Sequence, residues 1–329
     1  MKRPRVLVVG AGAVGQGYAL ALQRGGADVT FFVKPHHDER LAKGMPIREV
    51  GMFSEGPLGD LAYLPRVWDW DDVARETWDA IWLAVDGTAL HGDWVAELGK
   101  GRGDATVVVF QTGTTGRDHL RQWLPEAAIV TAMIPFVAWW APLSKDEVVP
   151  DGPHMKVWHP PLMATPLSGP LDRVADIATR LRLGGLKVRV LANAGLQGAM
   201  GSSVLLPIIA GLEVAGWDLR AFGRLATLRP VVAAVHEARR IVGRLHNTQP
   251  GGSWLLQPIL FSLATRLAPL LAPFDVQTYL RVHFTKVGAQ TAASLADLEA
   301  AGDAHHIATP ALTALRAQLG QTRTLERTD

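Results

Sequence analysis

The sequence predicts an α/β fold in which a doubly wound parallel sheet is followed by an all-helical domain. Three observations carry this. A glycine-rich turn, Gly10-Ala11-Gly12-Ala13-Val14-Gly15, separates a short apolar run from a helical stretch. Apolar runs that do not alternate with polar residues recur through the first 135 residues or so, as strands buried on both faces require. Between residues 195 and 320 the pattern becomes 3.6-residue periodicity with few β-branched runs.

The elements follow in order. Arg5 to Val9 is a strand, Gln16 to Arg24 a helix closed by Gly25-Gly26, and Asp28 to Val33 a second strand rich in β-branched and aromatic residues. Strand, turn, helix and strand within about 30 residues make one βαβ unit. Ala80 to Val85, Thr106 to Phe110 and Ile129 to Met133 are further buried strands, with helical patterns at Ala89 to Leu98 and Arg117 to Trp123. Leu171 to Leu183 is an amphipathic helix ended by Gly184-Gly185, and Lys187 to Leu191 a strand. The expected domains are 1–191 and 192–320, with a polar tail at 321–329.

Composition narrows the function classes. A 48% hydrophobic and 19% charged chain supports a large core. A net charge of +2 over 329 residues gives nucleic-acid binding no support. The absence of cysteine excludes thiolate catalysis, disulfides and cysteine-based metal sites. The eleven histidines show no metal-site spacing, so no metal is expected. Two uncharged runs, Ala127 to Ser144 and Val190 to Leu212, approach spanning length, but prolines and amides interrupt them. They read as buried core, without a membrane. Only four apolar residues precede Gly10, too few for a secretory signal. A cytoplasmic location is the expectation.

Gly10-x-Gly12-x-x-Gly15, between strand and helix, is the dinucleotide fingerprint. Gly10 permits the tight turn, Gly12 lets the backbone approach a pyrophosphate, and Gly15 allows close helix–strand packing. The backbone through Ala11, Ala13 and Val14 completes the anion cradle at the helix N-terminus. After the second strand an NAD site needs an acidic residue for the ribose, whereas NADP needs a cation for the 2′-phosphate. Here Lys34 stands at the strand end and Arg40 a few residues on, while Asp38 and Glu39 come late. NADP(H) is therefore the expected cofactor.

The chain resembles the ketopantoate reductase family. The likeness rests on VLVVGAGAVGQGYALALQRGGADVTFFVK, DAIWLAV before a helix, VVVFQTGTTG and IATPALTAL. It implies a Rossmann domain joined to a helical domain of the 6-phosphogluconate dehydrogenase C-terminal type, with the active site between them. It also implies cofactor contacts at Val85, Thr112 and Gly113, and hydride transfer from NADPH to a 2-oxo acid with a lysine as acid. The departures are specific. Thr112 replaces the family's asparagine, Asp86 its strand-end lysine and Gln290 its glutamate, and 196–203 holds no lysine.

Other residues then become catalytic candidates. At 100° per residue, Tyr279, His283, Lys286, Gln290 and Asp297 fall within roughly 60° of arc on one helix. A carbonyl that accepts hydride needs a proton donor and a polarising group. Lys286 or His283 suits the first role and Gln290 or Ser202 the second. Trp139, Trp140, Trp158, Trp217 and Trp254 are expected to pack in the core, with the walling of an apolar substrate pocket as the second reading. The apolar run Ser253 to Phe274 is a candidate homodimer surface or greasy pocket. The expected function is an NADPH-dependent reductase of a C=O or C=N bond in a small, fairly apolar substrate. The alternative is a non-catalytic NADP(H)-binding sensor or scaffold.

Overall fold

The computed structural model describes residues 3–110, 119–286 and 288–326. The chain divides into two compact units, Met1–Gly195 and Leu196–Asp329. The strands of the first are β1 (Arg5–Val9), β2 (Asp28–Phe32), β3 (Pro46–Val50), β4 (Gly59–Asp60), β5 (Arg66–Val67), β6 (Ala80–Leu83), β7 (Thr106–Val109), β8 (Ile129–Ala132), β9 (Val137–Ala141), β10 (His154–Trp158), β11 (Thr165–Ser168) and β12 (Val188–Val190). Its helices include α1 (Ala13–Arg24), α2 (Pro35–Ala42), α3 (Trp70–Arg75), α4 (Trp94–Gly101) and α5 (Leu171–Leu183).

The main sheet runs β12-β11-β8-β7-β6-β1-β2-β5. It is parallel except where β8 meets β11. Every residue of β6, β7 and β8 is buried, which is why these strands read as unbroken apolar runs. The chain leaves β1 for β2 on one side and later returns to β6 on the other. The C-terminal end of β1 is therefore a topological switch point, where open α/β sheets leave a crevice for ligands. Beneath it, the buried Tyr18 of α1 packs against Trp82, Phe110 and Phe136 at ring centroid distances of 4.8, 5.0 and 5.1 Å. Its hydroxyl donates to the Met133 carbonyl at 2.9 Å.

Two features of the first unit differ from the sequence reading. α1 begins at Ala13, three residues before the expected start at Gln16. The Gly12 carbonyl already accepts the Gln16 amide at 2.9 Å, which closes the first turn. A second sheet, β4-β3-β10-β9, was not expected at all. Its strands are short, and β3, β4 and β10 carry charges. Arg48 bonds Glu55 at 2.8 Å and Asp151 at 2.7 Å, and Lys156 bonds Glu55 at 2.8 Å. Glu49 on β3 is held down to about 2 by the His159 hydrogen bond first and Arg24 of α1 second.

The helical unit contains α6 (Ala194–Val214), α7 (Leu219–Phe222), α8 (Leu225–Leu245), α9 (Pro258–Leu271), α10 (Val276–Lys286), α11 (Gly288–Ala304) and α12 (Pro310–Glu326). By length and composition α6 is apolar enough to cross a membrane. Its Ile209, Ala210 and Leu212 pack in the helical core with Leu228, Val231 and Leu312. Three buried carboxylates converge on α12. Glu213 takes Arg323 in a two-pronged bond of 2.5 and 2.8 Å. Glu299 takes Arg316 at 2.8 Å. Glu237 accepts the amides of Ala311 and Leu312 at 3.1 and 2.8 Å. α12 therefore runs through 321–326, where a polar tail was expected. The Arg323 pair anchors that stretch.

Candidate nucleotide site

β1 delivers the chain to Gly10, and packing alone accounts for two of the three fingerprint glycines. Gly10 has φ +100°, and a Cβ there would lie 2.6 Å from the Ala84 carbonyl oxygen. A Cβ on Gly15 would lie 2.0 Å from the Gly10 carbonyl oxygen. Gly12 is different. Its φ of −77° and ψ of −173° suit any residue, and a Cβ there would meet nothing within 4 Å. The protein leaves open the space over Gly12 that an incoming anion needs.

Ala13 and Val14 form the first turn of α1, which carries no acidic residue. Its free N–H groups present partial positive charge to the turn. Gln16, only 4% exposed, donates Nε2 to the Ala11 carbonyl at 2.8 Å and so braces the loop.

A cavity of about 770 Å³ opens here, lined by Gly10, Ala11 and Gly12 from the turn and by Val85 after β6. Lys34, His37 and Arg40 line it from the β2 end and α2, and Asp86 faces it from the β6 side. Lys34 and Arg40 are exposed, and among the described ion pairs neither meets a carboxylate. Asp38 accepts from Arg66 Nε at 2.6 Å, and neither Asp38 nor Glu39 lines the cavity. His37 is pushed below the ordinary histidine value by desolvation first and then by His36, Arg40 and Lys34. Asp86 is held down by the Thr88 hydroxyl first, then by the Ala89 amide, with a contribution from Lys34. Its carboxylate accepts from Thr88 at 2.6 Å and Ala89 at 2.9 Å, so it caps a short turn. These residues fit a dinucleotide: an open helix N-terminus for the pyrophosphate and two cations beside the β2 end for a further phosphate.

The aromatic wall of the cavity is Phe32, Trp68, Trp70 and Trp94. Phe32 stacks on Trp70 at 4.1 Å, and Trp70 on Trp94 at 5.4 Å with 7° between planes. None of the five tryptophans weighed as pocket walls lines this one. Trp139 and Trp140 lie in β9, Trp158 in β10, Trp217 in the helical core and Trp254 at 73% exposure on the surface. The available signal was Trp68-Asp69-Trp70, but it follows a strand of two residues that periodicity does not resolve.

The catalytic candidates are only partly gathered. On α10 the Tyr279 ring stacks on His283 at 5.4 Å, and His283 meets Phe284 edge-on at 4.8 Å. Burial pushes the Tyr279 phenol up to about 12. Desolvation first and the Lys286 charge second lower His283, so Tyr279, His283 and Lys286 form one group. The stripe spans α10, which is described to Lys286, and α11, described from Gly288, and Val287 between them lies outside the described residues. Gln290 and Asp297 are exposed on α11, and Ser202 is half-buried on α6. Among the described hydrogen bonds none joins Gln290 or Ser202 to the α10 group. Thr112 and Gly113 lie outside the described residues. Among the described residues no group of three metal-ligating side chains occurs.

No curated protein matches the chain. Similar solved structures extend over nearly its whole length. D-mandelate dehydrogenase, solved with NADH and anilino(oxo)acetate, has a TM-score of 0.71 at 15% identity, covering 97% of each chain. The 2-dehydropantoate 2-reductase of Geobacter metallireducens GS-15 has a TM-score of 0.69 at 16% identity, covering 96% of this chain and 99% of that one. A dimeric ketopantoate reductase from Staphylococcus aureus has a TM-score of 0.65 at 14% identity, covering 98% and 99%. The fold is shared throughout. The family model for ketopantoate reductase PanE/ApbA matches residues 6–140, the stretch that holds the glycine turn, Lys34 and the cavity, and over that stretch the chain is similar to the ketopantoate reductases.

Proposed function

We propose that the chain is an NADPH-dependent oxidoreductase that reduces a C=O or C=N bond in a small, fairly apolar substrate. The observation that carries this reading is the cavity joining an unobstructed Gly12 to two exposed cations, Lys34 and Arg40. Bound NADPH supplies the hydride. Gly10, Ala11 and Gly12, with the N-terminus of α1 at Ala13 and Val14, hold the pyrophosphate, and Gly15 lets α1 approach. Lys34 and Arg40 take the 2′-phosphate, and Val85 flanks the site. Thr112 and Gly113 join the cofactor contacts in this proposal, on the likeness of their segment to the family. Lys286 or His283 donates the proton, and Gln290 or Ser202 donates a hydrogen bond to the reacting oxygen or nitrogen. A cytoplasmic location and a homodimer belong to the same proposal.

A C=N substrate suits the missing family lysine, because an iminium arrives already protonated. The test is NADPH oxidation over 2-oxo acids (aryl-substituted ones included), ketones and imines. Single-turnover hydride transfer is then compared in Lys286→Ala and His283→Ala. A rate loss of about 100-fold in one of the two is expected, since positioned proton transfer contributes roughly 10²–10⁴-fold. Full rates in both overturn the assignment. NADPH uptake without oxidation across the panel makes the chain a non-catalytic sensor or scaffold instead.

Cofactor choice has its own check. The D-mandelate dehydrogenase neighbour was solved with NADH, so the preference for NADPH here rests on Lys34 and Arg40. Lys34→Ala is expected to weaken NADPH binding about 10-fold and leave NADH unchanged, as loss of one charge-assisted phosphate bond implies. Calorimetric titration with both nucleotides decides it, and an unchanged NADPH-to-NADH ratio sinks it.

A further inference from the structure

We propose that Trp68 is a stacking lid that holds the adenine of the bound nucleotide; the proposal rests on reading the cavity as a nucleotide site. Trp68 follows β5, whose Arg66 and Val67 pair with Phe31 and Phe32 of β2. The Val33 amide donates to the Val67 carbonyl at 2.9 Å. These bonds fix the backbone next to Trp68 beside the β2 end, where Lys34 and Arg40 stand.

The other aromatic groups of the wall are used by one another. Phe32, Trp70 and Trp94 form a continuous stack, and the Trp94 indole N–H donates to the Ala89 carbonyl at 2.8 Å. Trp68 lines the same cavity yet is 51% exposed, and among the described ring contacts none involves it. A half-exposed indole is a large apolar surface left in water, and it lies within a concave site whose other wall is already packed. A planar base laid on it removes that surface from solvent. Stacking tolerates any base, so selectivity stays with the cations at the 2′-phosphate. The adenosine half of the cofactor thus has a self-sufficient subsite, made of one ring and two charges.

The test uses 2′,5′-ADP, which carries the adenosine and its 2′-phosphate without the nicotinamide. Wild type is expected to bind it measurably by calorimetry. Trp68→Ala is expected to weaken it by about 5- to 100-fold, the range that stacking a base on an aromatic ring supplies. Trp68→Phe is expected to retain most of the affinity, and 2′,5′-ADP should quench tryptophan emission more in wild type than in this variant. Equal affinity for 2′,5′-ADP in wild type and Trp68→Ala overturns the lid. So does an equal loss for reduced nicotinamide mononucleotide, which lacks the adenosine. Failure of wild type to bind NADPH, NADH or 2′,5′-ADP overturns the nucleotide reading itself, a distinct result.

Discussion

Gly12→Asp is expected to abolish NADPH uptake, weakening it at least about 100-fold, while the protein melts at the wild-type temperature or slightly above it. A Cβ at Gly12 meets nothing within 4 Å, and the φ of −77° is ordinary for any residue. Gly12 is the N-cap of α1, which lacks a side-chain cap. Aspartate is among the best residues for that position, and its charge suits the positive end of the helix. The same carboxylate fills and charges the space meant for the pyrophosphate. A 100-fold loss is about 2.7 kcal/mol, well within what displaced charge-assisted bonds and like-charge repulsion supply. Calorimetry and thermal melting on one preparation read both halves. Unchanged NADPH affinity in the folded variant refutes the site. Gly15→Ala serves as the contrast, because its Cβ would fall 2.0 Å from the Gly10 carbonyl oxygen and should lower stability.

Glu237→Ala has the largest expected effect on stability. Glu237 is 6% exposed, and its carboxylate takes the Ala311 and Leu312 amides at 3.1 and 2.8 Å. These amides belong to the first turn of α12, where no intrahelical acceptor exists. Pro310 has already removed one such donor by having no N–H. Truncation strands one buried and one part-buried donor at roughly 1–3 kcal/mol each, so a loss of about 2–4 kcal/mol is expected. That is a large fraction of the roughly 5–15 kcal/mol typical of a domain. Urea unfolding followed by helical circular dichroism should show an early transition in this variant. Glu237→Gln, which keeps one carbonyl acceptor, should recover part of it. A wild-type midpoint for Glu237→Ala would remove the cap from the account.

The parts of this fold that could be read from sequence are those whose burial leaves a pattern. β6, β7 and β8 are buried along their whole length, so each survives as an apolar run. The turn at Gly10 to Gly15 was legible because steric demands at Gly10 and Gly15 exclude side chains. Lys34 was legible because it is tied to the end of a recognisable strand. β3 and β10 were not, since Arg48, Glu49 and Lys156 interrupt them to serve ion pairs with Asp151, Arg24 and Glu55, all distant in sequence. Trp68 was hidden because its supporting strand is two residues long and exists only through pairing with β2. Gly288 lies against Arg323 of α12, where an added Cβ would come within 3.0 Å of the guanidinium, and helical periodicity carries no trace of that neighbour.

α12 gathers Glu213, Glu237 and Glu299 from three other helices. Lifting any part of it uncovers a dehydrated negative charge or two bare amides, so partial detachment is costlier than its exposed polar face suggests. Such a segment does not peel away one turn at a time. It opens together with the helices it neutralises, and the helical half of the protein melts as one body.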